Sequence, residues 1–429
     1  MKRIFSIFFA VLIAVAMNAQ ELAPKLKALP GITSVQQLET ELFPEKYVVT
    51  INQQVDQKKQ DKGTFEQRVI VCHAGFDRPT VLVTEGYWAT YALNPRYMDE
   101  LAKLFNTNIV FVEYRYFGES FPDPCDWDQL TVANSLADLH NVRETFGQLY
   151  KGKWISTGIS KGGQTTMFYR SYYPDDVDIS VPYVAPLNKA LEDGRHEIFL
   201  SKLVGTPEER AKIEAFQTEI LKRRATLVPM FKKHCEEKKY EFRVPVEEIF
   251  DLCVAEYPFA MWQWGSSVDE IPALDSDDAT LSAYLIGKNE PDYFAVQTPY
   301  YSFNVQAARE IGYYGYDITP FKGLTSVKSH KDYLRRVMLG GEEQHIKFDK
   351  TLYKHVVKFL KKNDPKMIYI YGGIDPWSAS GVCEWLDTSK KENLRIYVKE
   401  RGSHSTRINS FEEPIRNEII STLEKWLAE

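Results

Sequence analysis

Apolar residues alternate with polar ones at period two over residues 46–57 (KYVVTINQQVDQ) and 64–74 (TFEQRVIVCHA), with the turn-prone KKQDKG between them. That pattern predicts an antiparallel hairpin, preceded by a loose segment. A different pattern follows. TVLVTEG (80–86), NIVFVEYR (108–115), KWISTGIS (153–160), DISVPYVAP (178–186), KMIYIYGG (366–373) and LRIYVKERG (394–402) are short β-branched runs suited to a sheet buried on both faces. Helix-spaced segments separate several of them, at 96–105, 131–150 and 161–173. Strand and helix in alternation predict an α/β fold with a mostly parallel, doubly wound sheet and the hairpin at one edge. The alternation stops near Pro186 and resumes near Lys366. The interval holds the charged, helical stretch 206–240 and aromatic-rich segments at 257–265 and 291–317, which reads as a large inserted helical cap. A last amphipathic helix is expected within 408–429. The predicted organisation is a sheet domain of residues 20–187 and 366–429, with residues 188–365 as the cap.

The first residues add a different signal. Lys2 and Arg3 precede an apolar run from Ile4 to about Ala16, and small or polar residues lead to Ala19. This is the layout of a signal peptide over residues 1–19, which directs the chain to the periplasm or the medium without stable membrane insertion. The five cysteines, Cys72, Cys125, Cys235, Cys253 and Cys383, are an odd number, so at least one thiol stays free or pairs between chains. Cys235 and Cys253 are spaced to bridge two helices, though spacing alone does not establish a disulfide. A net charge of −6 without a dense basic run argues against nucleic acid as a partner. The eight histidines show no ligand spacing, and no metal or other cofactor is indicated.

Gly158-Ile159-Ser160-Lys161-Gly162 fits G-x-S-x-G, and it falls between a predicted strand and a predicted helix. Context gives the match its weight, because three small residues in a turn are common without chemistry. A serine at a helix start has the N–H of Lys161 and the helix dipole facing a developing oxyanion. Serine is a weak nucleophile and needs an oriented base. In this kind of fold the partners follow in the order serine, acid, histidine. Asp375 follows the strand 366–373 in GGIDPWS, and His404 is the one histidine after it. Asp364 and Asp387 are alternative acids. The second oxyanion donor is expected from the loop Glu85-Gly86-Tyr87-Trp88, through the N–H of Gly86 or Tyr87. Glu85 beside such a site either forms a structural ion pair, with Arg115 and Glu119 in the neighbouring YRYFGES block, or receives a cationic substrate group.

Taken together, VTEGYW (83–88), EYRYFGES (113–120), SLADL (135–139), TGISKGGQT (157–165), GGIDPWS (372–378) and GSH (402–404) resemble the secreted bacterial tripeptidyl aminopeptidase family of serine peptidases. More distantly they are similar to the prolyl carboxypeptidase and dipeptidyl peptidase II family. The resemblance implies an α/β-hydrolase fold with a helical cap and release of short peptides from free N-termini, with Ser160, Asp375 and His404 as the triad. It also implies an acidic residue on the substrate's terminal ammonium, for which Glu85 is the candidate. Cap residues Tyr257, Trp262, Gln263 and Trp264 are candidates for the pocket lining, beside the plainer reading of aromatic packing. Lys161 departs from the tyrosine common in the prolyl-specific enzymes, which weakens any expectation of proline specificity. Two rival readings remain open at this point: a carboxylesterase or lipase, and a non-catalytic binding protein on a hydrolase scaffold.

Overall fold

The computed structural model describes residues 22–429, so the expected signal segment 1–19 lies outside the described residues. The hairpin forms as its pattern predicts. Strands β2 (Glu45–Gln54) and β3 (Thr64–His73) pair antiparallel from Glu45 opposite His73 to Gln54 opposite Thr64. The segment before them is not loose. Helix α1 (Leu22–Lys27) buries Leu22 and Leu26, and β1 (Ile32–Gln37) pairs antiparallel with β2. The mostly exposed side chains of β1 give little period-two signal, and its order comes from backbone pairing along a sheet edge.

The β-branched runs become β4 (Thr80–Val83), β5 (Asn108–Val112), β6 (Trp154–Ile159), β7 (Ile179–Tyr183), β8 (Met367–Gly372) and β9 (Leu394–Lys399). Every residue of β4, β5, β7 and β8 is buried, as runs covered on both faces should be. Among the described residues the strands form one nine-stranded sheet in the order β1-β2-β3-β5-β4-β6-β7-β8-β9. The pairs β4–β5, β4–β6 and β6–β7 are parallel. This is the expected α/β-hydrolase sheet, with its antiparallel strands at one edge. Connecting helices are α2 (Glu100–Phe105), α3 (Val132–Phe146) and α4 (Lys161–Tyr172). The side chains of Asp99 and Thr131 cap the first two by accepting from backbone N–H groups.

The chain divides into two compact units. The first runs to Tyr183 and includes Asp364–Ile368 and Phe411–Glu429; the second is Val184–Asn363 with Tyr369–Ser410. The second unit therefore contains the segments after β8 and β9 as well as the helical insertion. Its longer helices are α5 (Pro207–Lys222), α6 (Arg224–Lys238), α7 (Val246–Trp264), α8 (Asp278–Lys288) and α9 (Thr351–Lys362). Helix α5 opens on a capping box between Thr206 and Glu209. The helical stretch 206–240 breaks at Arg223, whose guanidinium is held by Glu219, Asp278 and the carbonyls of Leu274 and Ser276. Helix α7 is buried on nearly all sides and packs Tyr257 against Phe216 and Phe250 against Phe231. Helix α10 (Glu413–Ala428) ends the first unit. Cys235 and Cys253 are buried free thiols, so the pairing considered for them is not made; burial pushes Cys235 up to about 12. No helix among the described residues is long and apolar enough to cross a membrane.

Candidate active site

Ser160 sits between β6 and α4 with φ 59° and ψ −119°, a left-handed conformation that a residue with a side chain rarely adopts. Such a turn stores about 1–3 kcal/mol of strain and persists only when the surroundings over-determine it. Here the Ser160 N–H donates to the Tyr183 carbonyl at 3.0 Å, and its own carbonyl accepts from Gln164 at 2.8 Å. The flanking glycines are a steric requirement. A Cβ on Gly158 would lie 2.4 Å from the backbone carbon of Gly162. The first N–H groups of α4 have no carbonyl one turn earlier to bond, which leaves the positive end of the helix beside the serine.

The loop after β4 packs onto the same helix start. A Cβ on Gly86 would meet Lys161 Cγ at 2.6 Å and its carbonyl carbon at 2.9 Å, so only glycine permits this approach. Lys161 is buried, and its ammonium donates to the Gly86 carbonyl at 2.7 Å while lying 3.3 Å from the centre of the Tyr114 ring. Its charge is spent on holding the 86–87 backbone to α4. Glu85 is buried and accepts from the Tyr91 hydroxyl at 2.6 Å. Burial pushes its pKa up to about 7, against the lowering effects of that hydrogen bond and of Lys161. It forms no ion pair among the described residues. Arg115, one expected partner, instead grips Asp138 at 2.6 and 2.7 Å and the carbonyls of Gln54 and Val55. Glu119 donates its N–H to Glu113, whose carboxylate also pairs with Arg68 and accepts from Ser120 and from the N–H of Ala89. The YRYFGES block thus braces the 86–91 loop through Glu113.

In the second unit, Gly372 and Gly373 let the chain leave β8 hard against residues 399–403; a Cβ on either would lie 2.3 Å from a carbonyl oxygen there. Asp375 follows, fully buried. One carboxylate oxygen accepts from the N–H of Trp377 at 3.1 Å and the other meets His404 Nδ1 at 2.7 Å. A carboxylate at Nδ1 places the ring proton there and leaves Nε2 as the basic nitrogen. The backbone N–H of His404 donates to the Gln263 carbonyl at 2.9 Å, and the Trp264 ring stands edge-on 6.1 Å from the imidazole. Of the alternative acids, Asp387 is exposed and caps its own turn through Ser389. Tyr257 and Trp262, expected in a pocket lining, are buried packing residues; Tyr257 bonds Tyr284 at 3.1 Å, and Trp262 packs against Gly205. Of the four cap candidates, Gln263 and Trp264 are the two in contact with His404.

The profile of the PS-10 peptidase S37 family matches residues 16–384. The chain belongs to the peptidase S37 family. This S37 chain is a serine peptidase. It is 27% identical over 420 residues to the prolyl tri/tetrapeptidyl aminopeptidase of Streptomyces mobaraensis, covering 95% of this chain and 85% of the relative. The lysosomal Pro-X carboxypeptidase of Mus musculus is 27% identical over 188 residues, 39% of this chain and 38% of its own. Among solved structures, a proline iminopeptidase of Mycobacterium smegmatis aligns over 92% of this chain and 99% of its own, at 12% identity and a TM-score of 0.38.

Two residues of the S37 peptidase had no sequence signal. His196 is buried with Nδ1 3.0 Å from the Pro376 carbonyl and Nε2 3.0 Å from Asn188, so it braces the turn that carries Asp375; burial pushes its pKa down to about 4. Glu256 on α7 is buried and accepts from the hydroxyls of Tyr314 and Tyr316, with its pKa pushed up to about 7 by burial. His196 is 180 residues from Pro376, and Glu256 is 58 and 60 residues from its two tyrosines, so chain position alone carries no hint of these pairings.

Proposed function

We propose that the S37 peptidase is an N-terminal exopeptidase that releases short peptides through an acyl-enzyme on Ser160. His404 Nε2 takes the Ser160 proton, Asp375 holds the imidazole in the required tautomer, and the N–H groups of Lys161 and of Gly86 or Tyr87 receive the oxyanion. Protonation of the departing amine by His404 and attack of water on the ester complete the cycle. The observation that carries the reading is the buried Asp375–His404 hydrogen bond in a chain whose Ser160 occupies a strained strand-to-helix turn. Near-full-length similarity to a tri/tetrapeptidyl aminopeptidase supports the exopeptidase mode. Glu85 supplies the receptor for the substrate's terminal ammonium: it is a buried carboxylate with a single phenol donor, on the same loop as Gly86. Lys161, committed to Gly86 and Tyr114, offers no support for proline selection. With residues 1–19 read as a signal segment, the enzyme works in the periplasm or the medium.

A matched panel tests this: free-amine di-, tri- and tetrapeptide amides, their N-acetylated forms, and short-chain aryl esters. Cleavage of free-amine peptides that is lost on acetylation supports the proposal. Ester cleavage with every peptide untouched makes the protein an esterase.

A further inference from the structure

The last turn of α7 carries two tryptophans with opposite fates. Trp262 and Trp264 are two residues apart, about 200° around a helix, so they face opposite sides. Trp262 is buried, whereas Trp264 is 62% exposed, the largest exposure among the large apolar side chains of the described residues. The indole is nonetheless held in place. Gln263 accepts from the His404 backbone, and Gly265 ends the helix at φ 70°, where a Cβ would lie 3.1 Å from Ser403 Cβ. An apolar surface fixed edge-on to His404 at 6.1 Å is therefore presented to solvent beside the imidazole.

Chemistry assigns that position a role. Asp375 occupies Nδ1, so every proton movement in acyl transfer passes through Nε2. In acylation the Nε2 proton goes to the departing amine, and in the reverse direction an incoming amine gives its proton there. The residue bearing that amine must then lie alongside the imidazole, the ring beside which Trp264 stands at 6.1 Å between centroids. Resting on the peptidase reading above, we infer that Trp264 forms the subsite for the first residue of the departing chain and selects large apolar side chains there. It is a specificity-determining residue on the leaving-group side.

Competition between water and amines for a preformed acyl-enzyme tests this directly. With a free-amine tripeptide methyl ester as acyl donor, added leucinamide or glycinamide attacks the Ser160 ester: the N–C bond forms, the Ser160 Oγ–C bond breaks, and the amine proton returns to Oγ through His404. In the wild type, transfer to leucinamide should exceed transfer to glycinamide by about tenfold, the scale on which an apolar subsite reads a side chain. Trp264→Ala should bring that ratio within about twofold of unity, Trp264→Phe should keep most of it, and Trp264→Gln, which retains bulk, should lose it. Leu274→Ala, which removes another exposed apolar side chain of the same unit, should leave the ratio at the wild-type value. An unchanged ratio in Trp264→Ala overturns the inference. So does a uniform slowing of water, glycinamide and leucinamide alike, which marks mere support of His404 and leaves the peptidase reading intact. A wild type that turns over neither ester nor peptide overturns the peptidase reading and this inference with it.

Discussion

Asp375 and His404 meet through a 2.7 Å hydrogen bond in which the carboxylate is fully buried and its second oxygen is held by the N–H of Trp377. Neither carboxylate oxygen can swing away, so the imidazole tautomer is fixed before any substrate arrives. Asp375→Asn keeps the size but removes the charge and replaces one accepting oxygen with an NH2 donor, so either Nδ1 must become the acceptor or the Trp377 N–H faces another donor. The expected result is a fall in kcat of about 10⁴-fold with little change in KM, the scale seen for this substitution in a Ser-His-Asp triad. Steady-state kinetics on one free-amine tripeptide amide measures it.

Glu85 gives a pH signature. Its pKa lies near 7, so it is protonated below and ionised above that value, while a peptide amine stays protonated to about 8. KM for free-amine substrates should therefore fall as pH rises from 6 towards 7.5 and climb again once the amine loses its proton. Glu85→Gln should raise KM about ten- to a hundredfold at pH 7.5, the worth of a charged hydrogen bond, and flatten the lower limb. A Glu85→Gln profile identical to wild type would remove Glu85 from recognition.

The loop glycines make a steric prediction. Gly86→Ala places a methyl 2.6 Å from Lys161 Cγ and 2.9 Å from its carbonyl carbon, so the loop or the helix start must move. The cost should be about 1–3 kcal/mol in stability, measured by urea unfolding, with kcat lowered at least tenfold because the proposed oxyanion donor is displaced. Gly158→Ala, which sets a methyl 2.4 Å from the backbone of Gly162, should be worse on both counts.

How much of this was legible in the sequence follows from how local each signal is. The hairpin and the six β-branched runs are local patterns, and each became a strand; β9 departs from the expected burial on both faces, since it lies at the sheet edge with only Leu394 buried. Ser160 and Asp375 could be proposed from sequence because each follows a strand closely, and His404 because it is the one histidine after both; of the three, Asp375 and His404 are joined by a hydrogen bond. β1 was missed because its order comes from pairing with β2 rather than from its own side chains. Arg115 was offered to Glu85, yet it serves Asp138, since both members of that pair point into a buried space that no spacing rule describes. Tyr257 and Trp262 look like pocket residues only if α7 is amphipathic. The helix is buried on nearly all sides, so its aromatic side chains are mostly core.

Glu256 makes stability depend on pH. Folding raises its pKa from 4.5 to about 7, so between those values the folded state holds a proton that the unfolded state has released. Stability should then fall as pH rises through this window, with the full penalty present above 7 and none below 4.5. Glu256→Gln cannot ionise. Its melting temperature should exceed the wild-type value by several degrees more at pH 8 than at pH 5, and a gap independent of pH would contradict the assignment.

The central claim is that Ser160, Asp375 and His404 act as one nucleophilic site, and covalent labelling tests it most directly. Wild-type protein treated with a fluorophosphonate, digested and analysed by mass spectrometry should carry the phosphonyl adduct on Ser160. His404→Ala should slow labelling at least a hundredfold, and Ser160→Ala should abolish it. Absence of the adduct on Ser160 in folded protein, or labelling at the wild-type rate in His404→Ala, would contradict the account.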